Sequence, residues 1–174
     1  FGPKAVDWLD APGDRSNWGA GVLVAVLDTG VDFSHPTLEG VKGTSLNLVE
    51  GETDEASYDG HGTAVASIIA GNPDQIGGLA PKAEILSVRV LNDEGVGDGY
   101  TVAKGIIESV DRGADVINLS LGTDGNSFVL EEAIQYAQQN NVLVVASVGN
   151  DGKQGVTFPA RYNGVIGVTA IDAK

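Results

Sequence analysis

Five short runs of apolar, largely β-branched residues constrain this chain more than any other feature. Val22-Leu23-Val24-Ala25-Val26-Leu27 has no polar break and stops at Asp28-Thr29-Gly30. Glu84 to Val90, Asp115 to Ser120, Val142 to Ala146 and Gly164 to Val168 carry similar runs. A strand with one solvated face alternates apolar and polar residues, whereas one apolar on both faces suits a sheet covered on both sides, as in parallel sheets.

Helical patterns fall between the runs. His61 to Ala70 carries Val65, Ile68 and Ile69 at helical spacing. Thr101 to Arg112 carries Val102, Ile106 and Val110 four apart, and Gly113 is placed to close that helix. Ser127 is positioned to cap a third helix ending near Asn140, with Glu131 and Glu132 in its first turns. Its apolar stripe is Val129, Ala133, Ile134 and Ala137. Strands alternating with helices predict an α/β fold with right-handed crossovers. Ligands of such sheets bind beyond the carboxyl ends of the strands. Attention therefore goes to Asp28-Thr29-Gly30, Ser120-Leu121-Gly122 and Gly149-Asn150.

The chain is long enough, at 174 residues and 42% apolar, to bury a sizeable core. Its formal net charge of -14 argues against nucleic acid or an anionic membrane as partner, since both require basic patches. The absence of Cys excludes disulfides, thiolate metal sites and a Cys nucleophile. No apolar run reaches the ~20 residues of a membrane span. Phe1-Gly2-Pro3-Lys4 does not open a signal peptide, so export would imply a processed form.

Asp28 at a strand end is either a turn residue or a partly desolvated carboxylate that needs a strong hydrogen-bond partner. His61, between Gly60 and Gly62 at a helix start, allows close approach and can shuttle protons near neutral pH. His35, in Asp32-Phe33-Ser34-His35-Pro36, reads as a structural turn residue. Asn150 offers an amide to a developing oxyanion, or else forms a left-handed turn in Asn-Asp-Gly.

Together these segments resemble the subtilisin-like serine proteases, the subtilases. Val26-Leu27-Asp28-Thr29-Gly30-Val31-Asp32, followed by Ser34-His35-Pro36, resembles the family's aspartate motif. Gly60-His61-Gly62-Thr63-Ala64-Val65-Ala66 resembles its histidine motif. Leu79-Ala80-Pro81 and Val88-Arg89-Val90-Leu91 resemble the next strand's entry. Val116 to Gly122 resembles the segment that pairs with substrate backbone, and Gly149-Asn150 the oxyanion asparagine. Phe158-Pro159-Ala160-Arg161-Tyr162 resembles a later family segment. The likeness spans essentially the whole chain and implies a three-layer α/β/α domain over 1–174, incomplete at its C-terminal side.

The resemblance implies a serine endopeptidase. His61 would act as the base and later as the acid, Asp28 would hold its tautomer, and Asn150 would bind the oxyanion. Ser120, Leu121 and Gly122 would line one side of an extended peptide, with Gly95, Val96 and Gly97 along the other. Ser147, Val148 and Gly149 would form part of the pocket for the side chain before the scissile bond. Leu121 and Val96 suggest apolar or aromatic side-chain preferences. The implied partners are a protein or peptide substrate and an inhibitory propeptide, and the implied location is extracellular or in the cell envelope.

The sequence also departs from the family. The family's Gly-Thr-Ser-like nucleophile motif lies downstream of the asparagine, and the chain reaches only Lys174. Gly43-Thr44-Ser45 precedes the histidine and runs into the strand-like Leu46-Asn47-Leu48-Val49, so Ser45 is not read as the nucleophile. The serine is expected after Lys174, which leaves the 174-residue chain inactive alone. No cofactor is required. The family's calcium site is not assigned, because Thr37 stands where a carboxylate is usual and the loop from Asn72 to Gly77 has one acid. The rival reading is an inactive peptide-binding module that keeps the groove. A nucleotide-binding domain is disfavoured, since neither G-x-G-x-x-G nor G-x-x-x-x-G-K-[ST] follows the first strand.

Overall fold

The computed structural model describes residues 14–51, 60–72, 74–75, 77–149 and 155–170. Its strands are β1 (Leu23–Asp28), β2 (Gly43–Asn47), β3 (Glu84–Arg89), β4 (Val116–Leu119), β5 (Leu143–Ser147) and β6 (Ile166–Val168). Its α-helices are α1 (His61–Ala70), α2 (Gly99–Asp111) and α3 (Phe128–Gln139). The six strands form one sheet in the order β2-β3-β1-β4-β5-β6, and every pairing is parallel.

Each apolar run is apolar for both faces of the sheet. On one face Val24, Val26 and Ile85 pack with Ala66 and Ala70 of α1. On the other, Ala25, Leu27, Leu86, Val88, Ile117 and Leu119 pack under α2 and α3, against Val102, Ile106, Leu130 and Ile134. Adjacent residues of a strand point to opposite sides, so a strand between two helix layers is apolar at most positions on both faces. Fully burying each of the Val, Leu and Ile side chains contributes about 1.5–3 kcal/mol.

The helices begin close to their expected positions. Asp98 caps α2, its carboxylate accepting from the amides of Tyr100 and Thr101. The Ser127 hydroxyl accepts from the Leu130 amide and caps α3. Gly113, with φ 81°, follows α2 in the left-handed conformation that ends helices.

Three sequence expectations are corrected. The inner face of α1 is small: Gly62, Thr63, Ala66, Ser67 and Ala70 are buried, while Ile68 is 49% exposed. Small residues let that helix sit close on the sheet. In α3 the stripe runs through Leu130, Ala133, Ile134 and Ala137, and Val129 points outward. β6 is not buried: Ile166 and Val168 are about half exposed, because it is an edge strand paired only with β5. β2, which the sequence marks only weakly, forms the opposite edge.

Candidate active site

The carboxyl end of β1 lies near the middle of the sheet, between those of β3 and β4. Asp28 closes β1 and is fully buried. The amide of Thr29 donates to its Oδ1 at 2.8 Å, and the Thr29 hydroxyl contacts the same oxygen at 3.3 Å. His61 completes the arrangement, with Nδ1 2.7 Å from Asp28 Oδ1. An ionised carboxylate only accepts, so Nδ1 carries the proton and Nε2 is the ring's acceptor nitrogen. Asp28 Oδ2 is buried with no hydrogen-bond partner among the described residues. The carboxylate's stabilisation thus comes through Oδ1.

Two glycines make this approach feasible. Gly60 precedes α1 at φ 66°, a left-handed conformation that a β-carbon disfavours. A β-carbon on Gly62 would overlap the carbonyl oxygen of Gly30 and lie 3.2 Å from Asp28 Cβ. The start of α1 is also tied to β1 by side chains. The Gly62 amide donates to Thr29 Oγ1 at 3.3 Å, and the Asp32 amide donates to Thr63 Oγ1 at 2.9 Å. His61 is the first residue of α1, so these contacts fix the imidazole relative to the sheet. Its side chain is half exposed, one edge on Asp28 and the rest facing open space.

That space is a pair of adjoining cavities. One, of about 520 Å³, is lined by Thr29, His61, Gly95, Val96, Gly97, Ser120, Leu121 and Gly122, and closed below by Leu91, Val102, Leu130 and Phe158. The other, of about 650 Å³, is lined by His61, Ser120, Leu121, Gly122, Ser147, Gly149 and Thr157. His61 borders both. The sequence-named residues from 95–97, 120–122, 147 and 149 therefore meet around one imidazole. Val148 departs from that set, since it lines neither cavity. Asn150 lies outside the described residues.

The wall at 120–122 is braced from behind. Thr123 and Phe158 exchange backbone hydrogen bonds of 2.9 Å each. The Ser147 hydroxyl donates to the Leu121 carbonyl at 3.1 Å. Tyr162 anchors the next turn: its hydroxyl accepts from the Ser127 amide at 3.0 Å and contacts Asn126 Oδ1 at 2.9 Å. Sequence reasoning gave no role to Leu91, Val102, Leu130 or Phe158. For Leu91, Val102 and Leu130 the signal was present, because apolar residues just beyond strand ends or in the first turns of a helix face the same end of the sheet; Phe158 is placed there by its bridge to Thr123.

The remaining candidates lie elsewhere. Ser45 sits in β2, two strands from β1, and lines neither cavity. His35 caps the short 3-10 helix Pro36–Leu38. Its Nδ1 is 2.8 Å from Thr37 Oγ1, which in turn is 2.7 Å from Ser67 Oγ. Thr37 Oγ1 is thus held between the His35 imidazole and the Ser67 hydroxyl, and brings no carboxylate toward a calcium ion, which takes six to eight oxygen ligands. Among the described residues no three His, Asp or Glu side chains gather as a metal site.

Comparison with known proteins gives the geometry a context. The profile described as "Subtilase family" matches residues 19–174. The "Thermophilic serine proteinase" of Bacillus sp. (strain AK1) is 40% identical over 175 residues, covering 99% of this chain and 43% of that protein. "Thermitase" of Thermoactinomyces vulgaris is 41% identical, covering 88% of this chain and 56% of its own length. A mutant of the protease domain of PatA superposes with a TM-score of 0.82 at 36% identity, over 91% of this chain and 61% of that one. The chain therefore spans about half the length of these curated relatives. A parallel sheet with an aspartate–histidine pair at its centre, matched by sequence over nearly the whole chain, leaves one assignment: the chain belongs to the subtilase family.

Proposed function

We propose that this chain is the greater part of the catalytic domain of a serine endopeptidase, and that the nucleophilic serine is contributed by sequence following Lys174. The observation that carries the reading is the 2.7 Å contact between His61 Nδ1 and Asp28 Oδ1 at the mouth of the cavities. With Nδ1 committed to Asp28, Nε2 can take the proton of a serine hydroxyl as its oxygen attacks a peptide carbonyl. The buried carboxylate stabilises the imidazolium that forms, which then protonates the leaving amine. Asn150 is the proposed oxyanion donor. An extended peptide lies between the backbones of 95–97 and 120–122, and Ser147 and Gly149 border the side chain before the scissile bond. The apolar lining favours apolar or aromatic side chains.

These proton transfers use side chains alone, so the reading calls for no cofactor. We also propose, by family resemblance, an inhibitory propeptide in the same groove and an extracellular or cell-envelope location. No helix among the described residues is long and apolar enough to cross a membrane. The rival, an inactive peptide-binding module, would share the groove but lack a serine. Reading the coding sequence past Lys174 and assaying the intact product on an unstructured protein separates them. The account expects a Gly-Thr-Ser-like motif and hydrolysis that the 174-residue chain alone does not perform. An intact product without a downstream serine would leave the binding module.

A further inference from the structure

Arg89 and Asp28 are the two buried charged residues among those described. They are register partners, closing the neighbouring strands β3 and β1. Only Asp28 takes part in the proposed chemistry. A guanidinium at 3% exposure is costly to desolvate and persists only when paired. Arg89 Nη2 is 2.7 Å from Asp93 Oδ1, a charge-assisted hydrogen bond, and its Nε donates to the Leu91 carbonyl at 3.4 Å. Asp93 itself is 44% exposed, on the loop from β3 to α2 that carries Gly95, Val96 and Gly97.

That loop is tied to the sheet at its first residues and is ordered within itself. The amides of Val90 and Leu91 both donate to the Asp28 carbonyl, at 2.9 and 3.2 Å. Past Leu91, several hydrogen bonds join the loop to itself. Asn92 N donates to the Val96 carbonyl at 2.9 Å, and Asn92 Oδ1 accepts from the amides of Glu94 and Val96. Gly95 has φ 73°, and Val96 is 63% exposed. The ring from Asn92 to Val96 is a compact unit, and Arg89 reaches up from the strand to grip it at Asp93.

We propose that Arg89 is a positioning residue: through Asp93, its buried guanidinium fixes the 92–97 loop as the rim against which an extended peptide pairs. This rests on the protease reading above. The role is to set the rim's height over the groove, and it leaves the Asp28–His61 pair untouched.

The test uses the intact protein with Asp93→Ala and Asp93→Glu. Asp93→Ala should raise KM about fivefold for a peptide long enough to reach the rim, the size expected of a partly solvated ion pair. Its kcat on that peptide, and its hydrolysis of a small amino-acid ester that does not reach the rim, should stay unchanged. Asp93→Glu, which keeps the carboxylate, should recover most of the lost KM. Amide exchange needs no activity: in Asp93→Ala it should quicken at Glu94 and Val96 but not at Leu86 or Val88 in β3. Equal losses on peptide and ester, unchanged exchange at the loop, or exchange quickened throughout β3 would each overturn the role of Arg89. A wild-type protein that hydrolyses neither substrate would instead overturn the protease reading, and loop exchange would still decide whether Arg89 holds the rim.

Discussion

At the scale of single residues, the Asp28–His61 contact depends on backbone as much as on side chains. Asp28→Asn should keep the shape but offer an amide that no longer selects the Nδ1-protonated tautomer. A loss of about ten-thousandfold in kcat is expected, with folding retained by circular dichroism. Gly62→Ala tests the close approach. Its methyl group would meet the Gly30 carbonyl, so the helix start must shift, at about 1–3 kcal/mol in urea unfolding. The same shift should lower activity, since His61 is the preceding residue. Both residues of the pair were legible in the sequence as a strand-end carboxylate and a glycine-flanked histidine. What the sequence could not give was the distance: Asp28 and His61 are 33 positions apart, and a sheet and a helix start must be built before they meet.

At the scale of elements, the central strands were readable because burial on both faces makes them mostly apolar, with buried Asp28, Ser87 and Arg89 as exceptions. β2 was marked only by the alternating Leu46-Asn47-Leu48-Val49, because an edge strand reading Gly-Thr-Ser-Leu-Asn is half solvated and carries no apolar run. The face of α1 was misjudged for a related reason. Periodicity points large apolar residues inward, but this helix approaches β1 and β3 so closely that only small residues fit beneath it. Ala66→Val should therefore cost about 1–3 kcal/mol by overpacking, while Ile68→Ser should change stability by less than about 0.5 kcal/mol in the same urea titration. The start of α2 offers a pH test. Hydrogen bonds from the Thr101 hydroxyl and amide, then from the Tyr100 amide, hold the Asp98 carboxyl below the usual aspartate range. A depressed folded-state value means the cap's contribution is complete above the unfolded value and is lost as pH falls through the folded one. Asp98→Ala should cost about 1 kcal/mol at pH 7, and the gap from wild type should close below about pH 4.

At the scale of the whole molecule, the sheet is covered unevenly. Its centre is sealed between α1 on one side and α2 with α3 on the other, whereas Leu143, Ile166 and Val168 at the β5–β6 edge are roughly half exposed. Apolar residues on an open sheet edge invite further packing or pairing. If a following segment covers them, as the proposed continuation requires, the intact protein should melt above the 174-residue chain in matched buffer. Equal melting temperatures would argue against that cover. The same geometry frames the central claim, because the described walls of the cavities His61 faces include two serines, Ser120 and Ser147. The most direct measurement is labelling of the intact protein with a fluorophosphonate, followed by peptide mapping of the modified residue. The account predicts one labelled serine, C-terminal to Lys174 in a Gly-Thr-Ser-like motif, with labelling abolished by His61→Ala. Label on Ser45, Ser120 or Ser147, or no label on an intact folded protein, would contradict it.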